Sequence, residues 1–264
     1  MPSRRSVAHR LTRPLRTKPV PVLSGNGRGL RVRFGESDLG ALLKGHEPKI
    51  EHALLDLLRE GDVFYDIGAN IGWYSLLGAR KTCALVVAFE PMVDNAAILR
   101  ENAQVNGLPI TVIPAAVTDV DGWASFELRG SLMGRLEKTD TAAQAERRER
   151  RARKGGLRHK GLQPVPVVTL DSWLAATGQP PPTVVKLDVE GAEIGALRGM
   201  SQTLATAKPA LVIEMHGTQE GVADVLDAHG YKHGPINADG PTRSAPWWAH
   251  IIATWADPTA DAPG

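Results

Sequence analysis

Short apolar strands alternating with helical segments across the 264 residues predict an α/β fold, with a mostly parallel, doubly wound sheet covered on both faces. The strand runs are short and rich in Val, Ile and Leu. The helices show apolar residues at helical spacing. Glycines punctuate the changes from one to the other.

The elements follow in order. Residues 30–34 alternate apolar and polar and read as a strand. Residues 47–59 read as a helix, with Ile50, Leu54, Leu57 and Leu58 on one side and Gly61 as a stop. Residues 63–67 form a buried strand, 68–72 a glycine turn and 73–80 a helix. A second strand, 85–89, closes on Glu90-Pro91. A helix over 93–106 stops at Gly107, and 110–113 is the third strand. Residues 115–128 read as a hairpin around Asp121-Gly122. Beyond a basic stretch, 165–170 is extended and 171–176 a short helix. The fourth main strand is 183–189, followed by a helix over 192–205 and a fifth strand over 210–215. A helix over 220–229 stops at Gly230. Residues 231–236 and 250–255 are the last two strands.

Composition limits the function classes. Hydrophobic residues are 42% and charged residues 23%, which fits neither wholesale disorder nor a collagen-like chain. The longest clean apolar run, 83–89, is seven residues, against about 20 for a membrane helix, so an integral membrane protein is excluded. The basic N-terminus lacks the apolar stretch of a secretory signal. Cys83 is the single cysteine, which excludes an internal disulfide and a zinc site with two Cys ligands and points to the cytoplasm.

The net charge of +2 is unevenly spread. Residues 1–18 hold six Lys or Arg and no acid, and 135–160 hold ten against four acids. The expected organisation is a basic arm over 1–19, one domain over 20–256 with a basic insertion at 134–162, and a tail over 257–264. Basic blocks are commonly solvated arms. They also tilt the expected acceptor toward an acidic or phosphorylated one. Nucleic acid is disfavoured, because both blocks lack Trp, Tyr and Phe for stacking.

Open parallel sheets bind ligands beyond the carboxyl ends of their strands. There the first strand ends in Asp66-Ile67-Gly68-Ala69-Asn70-Ile71-Gly72 and opens a helix, whose free N–H groups suit an anion. A dinucleotide fingerprint would need a glycine at Trp73. Asp66 would repel a pyrophosphate and suits an ammonium group. Glu90, 24 residues on, ends the next strand where an acid grips ribose hydroxyls. Adenosine joined to an amino acid satisfies both acids, which describes S-adenosylmethionine.

Five strings extend this pattern: the glycine turn running on through Trp73-Tyr74-Ser75, Phe89-Glu90-Pro91, Leu170-Asp171, the run Lys186-Leu187-Asp188-Val189-Glu190-Gly191-Ala192-Glu193, and Ile213-Glu214-Met215-His216. In that order they resemble the FkbM family of S-adenosylmethionine-dependent O-methyltransferases over about residues 47–216. The resemblance implies a class I methyltransferase (Rossmann-like) fold: seven strands in the order 3-2-1-4-5-7-6, strand 7 antiparallel. It also implies methylation of an alcohol on a sugar, nucleoside, polyketide or other small molecule, in bacterial secondary metabolite biosynthesis. By the same resemblance Asp66, Gly68, Asn70 and Gly72 hold the methionine end, Glu90 the ribose, and Ala116 to Asp119 flank the adenine. Asp188 faces the sulfonium. The longer basic segment and the basic arm depart from the family pattern, so the acceptor stays open. An RNA 2′-hydroxyl methyltransferase and a non-catalytic cofactor-binding protein of the same fold are the alternatives.

Methyl transfer to an alcohol needs positioning, exclusion of water and a base for the hydroxyl proton. His216 has the most suitable unperturbed pKa for that base. Asp188 is the second candidate, Lys186 a counter-charge for the carboxylates, and Glu214 an orienter of Lys186 or His216. Glu190 and Glu193 either join them or favour the helix N-terminus. A divalent cation such as magnesium on Asp188, Glu190, Glu214 and His216 is the less favoured option. Trp247, Trp248 and Trp255 read as core or edge-strand packing rather than a substrate platform.

Overall fold

The computed structural model describes residues 17–35, 47–81, 83–128, 134–140 and 162–255. Residues 1–16 of the expected arm over 1–19, residues 141–161 of the basic segment and the tail over 257–264 lie outside the described residues.

Seven strands form the central sheet: β3 (Val63–Ile67), β4 (Leu85–Phe89), β5 (Ile110–Ile113), β10 (Val184–Leu187), β11 (Ala210–Glu214), β12 (Tyr231–Pro235) and β13 (His250–Trp255). Their spatial order is β5-β4-β3-β10-β11-β13-β12. β3, β4, β5, β10 and β11 run parallel, and β13 is antiparallel to both neighbours. Numbered along the chain within this sheet, that is 3-2-1-4-5-7-6 with strand 7 reversed, the class I methyltransferase order.

Strand alternation divides the core between two faces. Phe64, Val86, Val184 and Val212 face one way. They are covered by α1 (Pro48–Leu57), α2 (Trp73–Arg80) and a two-stranded ribbon of β1 (Val20–Pro21) and β2 (Arg31–Val32). Tyr65, Val87, Val185, Leu211 and Ile213 face the other way. There they meet α4 (Leu170–Thr177), α5 (Glu193–Arg198), α6 (Ser201–Thr206) and α7 (Gln219–Ala228). α3 (Val93–Val105) packs Leu99 against Ala69 and Ala88. Among the described residues no helix is long and apolar enough to cross a membrane.

The hairpin expected over 115–128 does not form. β6 (Ala116–Val117) and β7 (Gly122–Leu128) each pair with β9 (Leu162–Val168), β6 in parallel and β7 antiparallel. The Asp121 carboxylate accepts the Thr169 N–H at 2.8 Å and the Ser172 hydroxyl at 2.7 Å, so this turn is bound to the start of α4 instead. β7 also pairs with β8 (Gly134–Asp140), so a second sheet of four strands follows β5. The first residues of the basic segment are therefore sheet.

The single helix expected over 192–205 is two. Gly199 passes so close to the Thr118 carbonyl that a Cβ there would sit 1.9 Å from its oxygen. The Asp171 carboxylate accepts the N–H groups of Gln202 and Thr203 at 2.8 and 2.9 Å and so starts α6 afresh. Asp171, part of the family string, is a helix cap.

Candidate functional site

Polar residues take over the first face at the carboxyl ends of the strands. Two residues beyond Phe64, Val184 and Val212 stand Asp66, Lys186 and Glu214, on the same face. Lys186 is the register partner of both Asp66 and Val212. β13 runs the other way, so its first residue, His250, lies at this same end, paired with Glu214. Antiparallel pairs share a face.

The glycine turn takes three left-handed residues: Gly68 at φ 84°, Asn70 at 50° and Gly72 at 87°. A Cβ on Gly68 would lie 1.7 Å from the Asp188 carbonyl oxygen, so Gly68 is needed for the close passage of two strand ends. The turn is held from the next strand. Gly68 and Ala69 donate their N–H groups to the Phe89 carbonyl, and Asn70 donates its own to Glu90 at 2.8 Å.

Two acceptor atoms in this turn are orphaned. The buried Asp66 carboxylate accepts the Ser75 hydroxyl at 2.5 Å on Oδ2, and its Oδ1 has no partner. The Asn70 Oδ1 is likewise buried without one. Burial pushes the Asp66 pKa up. An ammonium group beside it supplies the donors that both atoms lack. Glu90 accepts the Asn70 N–H on Oε2 at 2.8 Å, and on Oε1 the Met92 N–H at 2.8 Å and the Asn95 amide at 3.5 Å, so Oε2 keeps a further lone pair for a ribose hydroxyl. Burial lifts Glu90 to about 7 despite those donors. The residues present therefore fit S-adenosylmethionine.

Ala116 packs in the cluster that contains Met92, two residues beyond Glu90. Asp119 is exposed, and its carboxylate and backbone lie against Gly195 of α5.

Lys186 is 1% exposed, donates to Asp188 Oδ2 at 2.8 Å and lies 4.6 Å from the Tyr74 ring centre. Burial opposes its charge, but Asp188, Glu214 and Asp66 outweigh burial and raise its pKa. Burial works against the Asp188 charge too, yet Lys186 holds that carboxyl below its ordinary value. The pair is an internal neutralisation of this face.

His216 is gripped from α5. Its Nδ1 bonds Glu193 Oε1 at 2.8 Å, while Glu193 also accepts the Gly191 N–H at 2.8 Å and the Thr218 hydroxyl at 2.7 Å. Glu214 stands 3.6 Å from His216 Nε2, as does Glu190. Glu193, rather than the expected Glu214, is thus the orienter of His216. Burial favours the neutral ring, but the Glu193 hydrogen bond and the surrounding carboxylates prevail and raise His216 to about 9.

Sequence reasoning missed a neighbouring group. Glu47, just before α1, accepts the Tyr74 hydroxyl at 3.0 Å. The buried His250 directs Nε2 between Glu47, at 3.5 Å, and Glu214, at 3.3 Å. Asn237 accepts the His250 amide at 2.8 Å and turns its own amide nitrogen toward Nδ1. The ligand atoms of Asp188, Glu214 and His216 lie within 4.8 Å of one another, as do those of Glu47, Glu214 and His250. Lys186 already neutralises Asp188 in the first group.

The comparisons agree with this pattern. The family model described as the methyltransferase FkbM domain matches residues 66–233. The hexuronic acid methyltransferase AglP of Haloferax volcanii is 30% identical over 176 residues, covering 66% of this chain and 64% of that protein. The 31-O-demethyl-FK506 methyltransferase FkbM of Streptomyces tacrolimicus is 30% identical over 193 residues, covering 66% and 74%. The chain thus spans somewhat under two thirds of the first relative's length. A crystal structure of methyltransferase FkbM from Methylobacillus flagellatus is 20% identical with a TM-score of 0.47, covering 75% of this chain and 45% of that one. With the match running from Asp66 of the glycine turn, past His216, to β12, the chain belongs to the FkbM methyltransferase domain family.

Proposed function

We propose that this chain transfers a methyl group from S-adenosylmethionine to a hydroxyl of a small molecule. The carrying observation is the placement at the carboxyl end of one sheet of the orphaned acceptors of Asp66 and Asn70 together with a histidine whose Nδ1 is held by Glu193. The relatives, named as methyltransferases of a hexuronic acid and of a demethylated FK506, support the reaction class. A role in bacterial secondary metabolism and a cytoplasmic location belong to the same proposal, the latter resting on the single cysteine.

When bound, S-adenosylmethionine supplies an electrophilic methyl on a good leaving group. Asp66 and Asn70 bind its ammonium end and Glu90 its ribose. Glu193 fixes the His216 tautomer that leaves Nε2 to take the hydroxyl proton. Lys186 keeps Asp188 ionised beside the reacting centre.

Calorimetric titration with S-adenosylhomocysteine, with NAD as control, tests this reading. Micromolar binding of the first and none of the second is expected, with the first lost in Asp66→Ala. Absence of S-adenosylhomocysteine binding to the wild-type chain refutes it.

A further inference from the structure

The turn before β13 exposes two indoles, and its backbone is tied to the residues on either side of His216. Trp247 is 66% and Trp248 47% exposed, so the packing role expected for them does not hold. They are the central residues of a turn closed by the Ala249 N–H on the Pro246 carbonyl at 2.9 Å. The turn is anchored on both sides of His216. Met215 donates its N–H to the Ala249 carbonyl at 2.8 Å, and Gly217 donates to the Trp247 carbonyl at 3.3 Å. Gln219 braces it by donating to the carbonyls of Ala245 and Pro246 at 3.1 and 2.9 Å. A firmly held backbone that presents two indoles to water is unfavourable for the chain alone and suits a ligand.

The neighbouring polar groups say which ligand. Glu190 and Glu214 each stand 3.6 Å from Nε2 of His216, the residue the turn is tied around, and each is partly accessible. They are hydrogen-bond acceptors that repel an anion. An all-apolar ring would desolvate them without offering donors. A molecule with one C–H face and several hydroxyl donors satisfies both halves.

We infer that the Trp247–Trp248 turn is the acceptor platform, and that it stacks on the apolar face of a neutral sugar ring whose hydroxyl is presented to His216. This inference rests on the methyltransferase reading and names its acceptor class. The basic residues 141–161, which tilted the expectation toward an acidic or phosphorylated acceptor, lie outside the described residues.

The test uses the full chain and a panel of methyl pyranosides: neutral, amino-substituted and uronate forms, with a macrolactone alcohol as the non-sugar arm. Formation of S-adenosylhomocysteine is followed for each. Turnover of a neutral pyranoside is expected. Trp247→Ala/Trp248→Ala should raise its KM about tenfold or more while leaving kcat and S-adenosylhomocysteine affinity within about twofold. Trp247→Phe/Trp248→Phe should restore most of the KM. An unchanged KM in the alanine double variant overturns the inference, as does turnover confined to the uronate, the amino sugar or the macrolactone. Loss of S-adenosylhomocysteine binding in the wild-type chain would instead overturn the methyltransferase reading.

Discussion

His216 carries the sharpest pH dependence at the residue scale. With its pKa at about 9, kcat/KM of the free enzyme should climb with pH and level off near that value. His216→Asn should abolish the limb and lower the rate by about a hundredfold, leaving S-adenosylhomocysteine affinity near normal. Full activity in that variant would remove His216 as the base. Glu193→Gln tests its orienter. Removing that negative charge should move the limb to lower pH and reduce kcat by about tenfold to a hundredfold. A purely structural Glu193 would lower stability and leave the limb where it is.

At the scale of the element, β3 and β10 meet at Gly68 and Asp188. Gly68→Ala must displace the Asp188 carbonyl and should cost about 3 kcal/mol or more by urea unfolding. Gly107 also has a positive φ, 65°, but nothing lies within 4 Å of its would-be Cβ. Gly107→Ala should cost about 1 kcal/mol. Equal losses would mean that φ alone, not the close passage, fixes Gly68. Within β10, Lys186→Met strands the Asp188 carboxylate and should destabilise by about 3–5 kcal/mol. Lys186→Met/Asp188→Asn should recover part of that loss in the same unfolding measurement.

Two raised pKa values act together on the stability of the whole molecule. His216 binds its proton more tightly when folded, so its contribution is complete below about 6.5 and is lost as pH rises through about 9. Glu90, raised to about 7, also holds its proton more tightly in the fold, so stability falls as pH rises past its ordinary value toward 7. Asp188 works in the opposite sense and protects only above acid pH. Thermal unfolding should therefore show a falling Tm between about pH 6 and 9.5, and His216→Asn should flatten the upper part of that fall. A Tm that rises over that interval would mean that the carboxylates around His216 do not hold its proton in the folded chain.

The sequence by itself determined the strand and helix alternation, because each parallel strand is a short run rich in Val, Ile and Leu set between helical segments, and period is a local property. It also determined the ends of those strands. Asp66, Lys186 and Glu214 stand at the same alternation as the apolar residues before them, so their shared face was legible once the strands were. Tertiary structure decided what no local pattern encodes. Glu47 and His250 gather with Glu214 from 167 and 36 residues away because α1 covers that face and β13 runs backward to it. The break at Gly199 comes from the Thr118 carbonyl and the Asp171 cap. The choice of Glu193 over Glu214 as the partner of His216 depended on a difference of 0.8 Å between two contacts. Trp247 and Trp248 were read as packing because exposure is set by what the rest of the chain leaves uncovered, and here it leaves them exposed in a turn tied to the residues flanking His216.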